Sequence, residues 1–167
     1  MPGDFEQRIT RLEDQMQAVT GKTNTQQTSL DSLITQADQH DDFTTNFAIP
    51  GTAGVVLTSA TITVPNGFTR AQVIAHGTVC AFNSTAGNDL ILILIGINGG
   101  YSSGMFGQQT PTGLVGTAHN HQVRLLTGLT AGATFTTTIK VNANGGNPWA
   151  ASASATARLS TFVTFLR

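Results

Sequence analysis

Cysteine occurs once, at Cys80, so neither an intrachain disulfide framework nor a cysteine-built zinc site is available to this chain of 167 residues. Charge is scarce as well: 10 % of residues are charged, against roughly 25 % in an ordinary soluble domain. The net charge is −1 and no Lys/Arg cluster exists, which excludes a nucleic-acid-binding surface. The longest apolar run, Leu90 to Ile95, falls far short of the roughly 20 residues that span a bilayer, so no membrane insertion is expected. The N-terminal MPGDFEQRITRLEDQ has no apolar signal-peptide core. What fills the space is small and polar or β-branched, with 18 Gly and 27 Thr, a composition unlike that of a disordered segment.

The few charges are unevenly divided. Residues 1–47 hold eight of the nine acids and three bases, a net of −5; residues 48–167 hold one acid, Asp89, and five bases, a net of +4. With AIPGTAG following the break, two regions are expected: a helical stalk over 1–47 and a β domain over 48–167.

In the first region, Phe5, Ile9, Leu12, Met16 and Val19 are spaced by four and three, the a/d pattern of a coiled coil. The register continues through Thr23 and Gln26 to Leu30 and Leu33, and from there to Ala37, His40, Thr44 and Phe47. Gly21, at about 1 kcal/mol in a helix interior, predicts a break near 21–27, with Thr28 or Ser29 capping a second helix. The same apolar face would suit an amphipathic helix lying on its own β domain. Arg8 at g and Glu13 at e instead have the spacing that pairs charges between parallel helices. RITRLE resembles the Arg-apolar-x-x-apolar-Glu signature of short three-stranded coiled coils, so a homotrimer is expected.

From Val55 the period changes to 2. Strands are expected at 55–64, 70–83, 89–98, 121–127, 133–142 and 153–166, separated by Pro65-Asn66-Gly67, Gly87-Asn88, Gly99-Gly100, Gly128 and Gly145-Gly146-Asn147-Pro148. This pattern predicts a mainly β fold, an antiparallel β-sandwich of jelly-roll type. LILILIGI does not alternate, so both faces of that strand must leave water. Ile91, Ile93 and Ile95 are assigned to contacts between subunits; the alternative is cover by the Gly-rich loop 99–118.

TVPNGFTRAQVIAHGTVCAFN, DLILILIGINGG and NPWAASASATARLSTFVTFL resemble the C-terminal domains of minor tail proteins and tail fibres from phages of actinobacteria. MPGDFEQRITRLEDQ is similar to the short N-terminal coiled coils of those proteins. The resemblance implies a homotrimeric virion component located in the tail, docked on other tail or capsid proteins through its N-terminal segment. Its β end would face a host cell-surface glycan or protein. A capsid decoration or head-fibre protein is the alternative, and a cell-wall hydrolase the less favoured one.

No catalytic set emerges, and no enzymatic activity and no cofactor are expected. One carboxylate in 48–167 does not supply the pair a glycosidase needs. Gly21-Lys22-Thr23 ends like a phosphate loop, but Met16 stands where the upstream glycine belongs. Asp89 reads as a turn residue or ion-pair partner, Cys80 as buried and inert, and Trp149 as an anchor of the last loop. Asn83-Ser84-Thr85 is a glycosylation sequon. His119 and His121 have ligand-like i, i+2 spacing on a strand, and three subunits could set six imidazoles about one axis. Loop histidines are common, so no metal is assigned to them. Tyr101, Met105 and Phe106, within GGYSSGMFGQQTPTG, are candidate surface contacts on a mobile loop.

Overall fold

The computed structural model describes residues 3–33 and 36–167, with the backbone alone for 3–5 and 27–33. A single helix, α1 (Gly3–Leu33), is followed by β1 (Gln36–Thr45), β2 (Val55–Thr63), β3 (Arg70–Phe82), β4 (Ile91–Ile97), β5 (Gly100–Tyr101), β6 (Met105–Phe106), β7 (Val115–Leu126), β8 (Thr134–Ala143) and β9 (Thr156–Leu166). Helix α1 is not apolar enough to cross a membrane.

The helix passes through Gly21 unbroken, which corrects the expected interruption at 21–27 and the second cap at Thr28 or Ser29. One glycine is a small penalty beside the hydrogen bonds of a long helix. The neighbouring threonines also do not compete with the helix. Their hydroxyls fold back on the preceding turn, Thr20 to the Met16 carbonyl at 2.8 Å, Thr23 to Val19 at 3.0 Å and Thr25 to Gly21 at 2.9 Å.

The helical stalk does not extend to residue 47. Residues 36–45 form β1, paired antiparallel with β9 from Gln36↔Phe165 to Thr45↔Thr156. The division between helix and sandwich therefore lies between Leu33 and Gln36, and β1 belongs to the β domain. Its polar sequence carries no apolar alternation; ten partnered positions on β9 supply what its composition does not.

Two antiparallel sheets result, ordered β1-β9-β3-β7 and β2-β8-β4-β5, with β6 also paired to β4. Counting β5 and β6 as one interrupted strand that forms a hairpin with β4 in one sheet, every other connection crosses between the two sheets, and the first strand pairs with the last. That is the winding of a jelly roll. The inner phases interleave: Val73, Ala75 and Val79 of β3 and Leu159, Val163 and Phe165 of β9 face Ile91, Ile93, Ile95 and Ile97 of β4 and Ile139 and Val141 of β8, all essentially inaccessible. Each such Val, Leu, Ile or Phe side chain contributes roughly 1.5–3 kcal/mol by burial. At Gly77 the layers approach closely: a Cβ there would lie 2.5 Å from Ile95 Cδ1 and 2.9 Å from Ile139 Cδ1. At the β4–β5 turn Asn98 (φ 47°) and Gly99 (φ 75°) are both left-handed, the requirement of a type I′ hairpin.

Ile91, Ile93 and Ile95 thus fill the monomer's own core, which corrects their assignment to subunit contacts. Alternation alone made the isoleucine and leucine faces equivalent. The chain itself breaks the tie by laying its next segment over the leucine face, where a Cβ on Gly104 would sit 2.7 Å from Leu92 Cδ1. Phe106 is the cross-strand partner of Leu92.

Candidate interaction surfaces

Every described side chain of α1, residues 6–26, is exposed. Ile9, Leu12, Met16 and Val19 are 41, 59, 69 and 63 % accessible, so the apolar seam is not laid on the chain's own sandwich. Arg8 and Glu13 flank it, also exposed. The side chains of Phe5, Leu30 and Leu33 lie outside the described residues.

A second surface is the segment 100–106. Tyr101, Met105 and Phe106 are about half exposed, but their backbone is hydrogen-bonded into the sheet, in contrast to the mobile loop expected from the sequence. Ser102 exchanges bonds with Ile95, its N–H donating to the Ile95 carbonyl (2.8 Å) and its Oγ accepting from the Ile95 N–H (3.0 Å). From the facing sheet, alternate residues of β7 reach the carbonyls of β4. Asn120 Nδ2 donates to Ile93 (3.0 Å), the Gln122 amide, turned nitrogen-inward, to Ile95 (2.8 Å), and Arg124 Nη1 to Ile97 (2.7 Å). Asn120 also donates to Ser102 Oγ and the Ser103 carbonyl, at 3.0 Å each. The Tyr101 ring lies over Gly96, with Lys140 Nζ 5.8 Å from its centroid. The aromatic residues are presented on a fixed frame.

The third surface was not singled out in the sequence. On the outer face of the β1-β9-β3-β7 sheet, the register aligns Gln39, Phe162, Ile74 and Val123 in one cross-strand row. Leu125 follows Val123 on the same face. Ile74, Phe162, Val123 and Leu125 are 42, 47, 55 and 57 % exposed. The adjacent row reads Asp41, Ser160, His76 and His121, and the next Phe43, Arg158, Thr78 and His119. Ser160 Oγ donates to Asp41, and with Gln39 Nε2 (3.0 Å) it holds the Asp41 carboxyl below its ordinary value. The signal in the sequence was the presence of Ile, Val, Leu and Phe in the phase of β3, β7 and β9 that ought to be wet. Only the pairing register shows that they adjoin.

His119 and His121 are both exposed on this face. Among the described residues no three His, Cys, Asp or Glu side chains are grouped so as to hold a metal.

The remaining polar candidates are structural. Asp89 is 6 % exposed; its Oδ1 accepts from the N–H groups of Leu90 (2.7 Å) and Gly145 (2.6 Å), and its Oδ2 from Trp149 Nε1 (3.0 Å). It is a loop anchor and not an ion-pair partner. Trp149 is fully buried and bridges to Ile49, as its anchoring role required. Asn83 is fully buried, with Nδ2 donating to the Gly87 (2.9 Å) and Thr110 (2.7 Å) carbonyls, so the sequon's amide is enclosed. Cys80 is half-buried and in the outward phase of β3, instead of in the core. With β1 included, the sandwich also carries Asp38, Asp41 and Asp42, of which Asp41 faces opposite to the other two.

No family model and no curated protein matches the chain. Solved structures with some likeness include infectious bursal disease virus, Gx strain (15 % identity, TM-score 0.34, covering 81 % of this chain and 38 % of that one). A subviral particle of infectious bursal disease virus gives 12 %, 0.31, 81 % and 42 % for the same quantities. A Bacillus endospore appendage described as a disulfide-linked pilus gives 10 %, 0.25, 80 % and 87 %. The chain spans about two-fifths of the viral proteins' length. Likeness at this level carries no functional argument.

Proposed function

We propose that the chain is a non-enzymatic structural component of a virion, a homotrimeric tail protein or fibre that presents β-sandwich heads for attachment to a host surface. The observation that carries this reading is the seam Ile9–Leu12–Met16–Val19, apolar at heptad spacing and uncovered by its own chain. A solitary helix has little reason to persist in water without tertiary contacts. Bundling with two further copies buries the seam and pairs Arg8 with a neighbouring Glu13. The virion assignment rests on the sequence resemblance to actinobacterial phage tail proteins. Attachment would work by avidity: three identical heads on one stalk add weak contacts at Tyr101, Met105 and Phe106 into a firm hold. The N-terminal end would dock on another tail protein.

Sedimentation equilibrium of the full chain tests the trimer. Three times the 17.4 kDa monomer mass is expected, with loss of association on replacing Ile9 and Leu12 by Ser. A wild-type chain that stays monomeric at tens of micromolar overturns the reading. Antibody against the chain should decorate tails in electron micrographs of particles that carry it; label confined to heads would place it on the capsid instead.

A further inference from the structure

The outer face of the β1-β9-β3-β7 sheet exposes Ile74, Phe162, Val123 and Leu125 as neighbours on three adjacent strands. Monomeric proteins rarely leave such a patch uncovered without a partner for it. The outer phase of β2 and β8 on the opposite sheet differs: Ser59, Thr61, Thr63, Thr134, Thr136 and Thr138 dominate it. The sandwich therefore carries, besides the apolar residues at Val56, Tyr101 and Phe106 on the opposite sheet, a separate apolar face on three paired long strands that calls for a cover.

We propose that this face is the contact between heads, packed against two further copies of the chain about the three-fold axis. The assignment rests on the trimeric reading above and extends it from the stalk to the sandwich. Two observations select a copy of the chain over a foreign partner. The first is connectivity: only two residues separate Leu33 from Gln36, so β1, an edge of this very sheet, is tethered directly to the helix. Copies joined through their helices hold these sheets at high mutual concentration. The second is charge. Edge strand β1 carries Asp38, Asp41 and Asp42 with one imidazole, His40 on Asp38 (3.0 Å), and no Lys or Arg, and edge strand β7 carries His119, His121 and Arg124 with no acid. A cyclic, head-to-tail association places unlike edges side by side, the β1 of one copy against the β7 of the next. The apolar row then lies at the centre, and the rows containing Asp41, Arg158 and the imidazoles supply the polar margin.

The test uses the full chain with Phe162→Glu and, separately, Val123→Glu, at positions that face solvent in one copy and are therefore compatible with folding. Thr136→Glu on the opposite sheet is the control. Circular dichroism and Trp149 emission report the fold, and sedimentation reports assembly. Either patch variant should dissociate at concentrations at least tenfold above wild type, while the control stays within twofold. A complementary measurement does not depend on tolerance of a charge. In a Cys80→Ser background, Asp41→Cys and His121→Cys sit at opposite ends of one row, roughly 14 Å apart at about 4.8 Å per strand. A short bis-maleimide should link them between chains and give a covalent trimer band. Patch variants that assemble like wild type, together with no interchain link, overturn the inference while leaving a helix-based trimer standing; the face would then be open to an outside partner. A monomeric wild type overturns the inference and the proposed function together.

Discussion

Replacing Asp89 by Ala should destabilise the sandwich by about 3–5 kcal/mol. Its two carboxylate oxygens accept three hydrogen bonds, from Leu90 N–H, Gly145 N–H and the Trp149 indole, within a site only 6 % exposed. Truncation leaves a fully buried indole N–H and two partly buried amides without an acceptor. An orphaned buried donor costs roughly 1–3 kcal/mol, with water able to reach the two amides more easily than the indole. Against a typical total of about 5–15 kcal/mol the variant still folds, with a melting temperature lower by on the order of 10 °C. Trp149 is the only tryptophan, so its fluorescence reports this site directly in denaturant titrations at fixed protein concentration. Trp149→Phe removes the indole donor, and adding Asp89→Ala to it should cost about 1–3 kcal/mol less than in wild type, read by circular dichroism. If Asp89→Ala unfolds within 1 kcal/mol of wild type with unchanged Trp149 emission, the carboxylate does not organise these loops.

Gly21→Ala meets open space around the added methyl and should raise helix stability by about 1 kcal/mol per chain, measured as increased helicity on thermal melting. Ile93→Asp, placing a charge at a fully buried position, should abolish folding; Leu92→Asp, on the half-covered face, should leave a folded sandwich, and equal damage from both would refute the assignment of faces. Asp41 has its carboxyl lowered first by the Ser160 hydroxyl and then by Gln39, so its ionised form adds stability above its unfolded value near 3.8. That increment disappears as pH falls through the lower folded value. Asp41→Asn should therefore flatten the loss of stability below about pH 4, which acid titration followed by circular dichroism will show.

Most strands of the sandwich were legible because period-2 alternation bounded by Gly, Asn and Pro has few other solutions, and expected and observed limits agree closely for 55–63, 70–82, 134–143 and 156–166, whereas β7 starts at Val115 and not at the expected 121. β1 was illegible for a physical reason. QADQHDDFTT has no apolar face of its own, and its strand conformation is imposed by β9 across ten paired positions. The unbroken helix was hidden because Gly21's penalty is small beside the hydrogen bonds of a long helix, and the neighbouring threonine hydroxyls bond to carbonyls four residues back within the helix. For β4 the alternation was read correctly, but which face turned inward depended on the segment around Gly104 and Phe106. The patch on the outer sheet was the least accessible to reasoning from sequence. Ile74, Val123 and Phe162 are neighbours only through pairing registers that join residues far apart along the chain.

The pairing of β1 with β9 sets an order of events during synthesis. The helix is complete when Leu33 has emerged, whereas β1 waits for residues 156–166 before it has a partner. β9 is also the strand between β1 and β3, so until it arrives both of those strands show unpaired backbone edges. Such long-range closure is slow, and its half-built state is prone to sticking to its neighbours. On a shared message, helices of successive nascent chains can meet before any head has closed. In the proposed trimer the stalk would then choose its partners early, and β9 would seal each head afterwards.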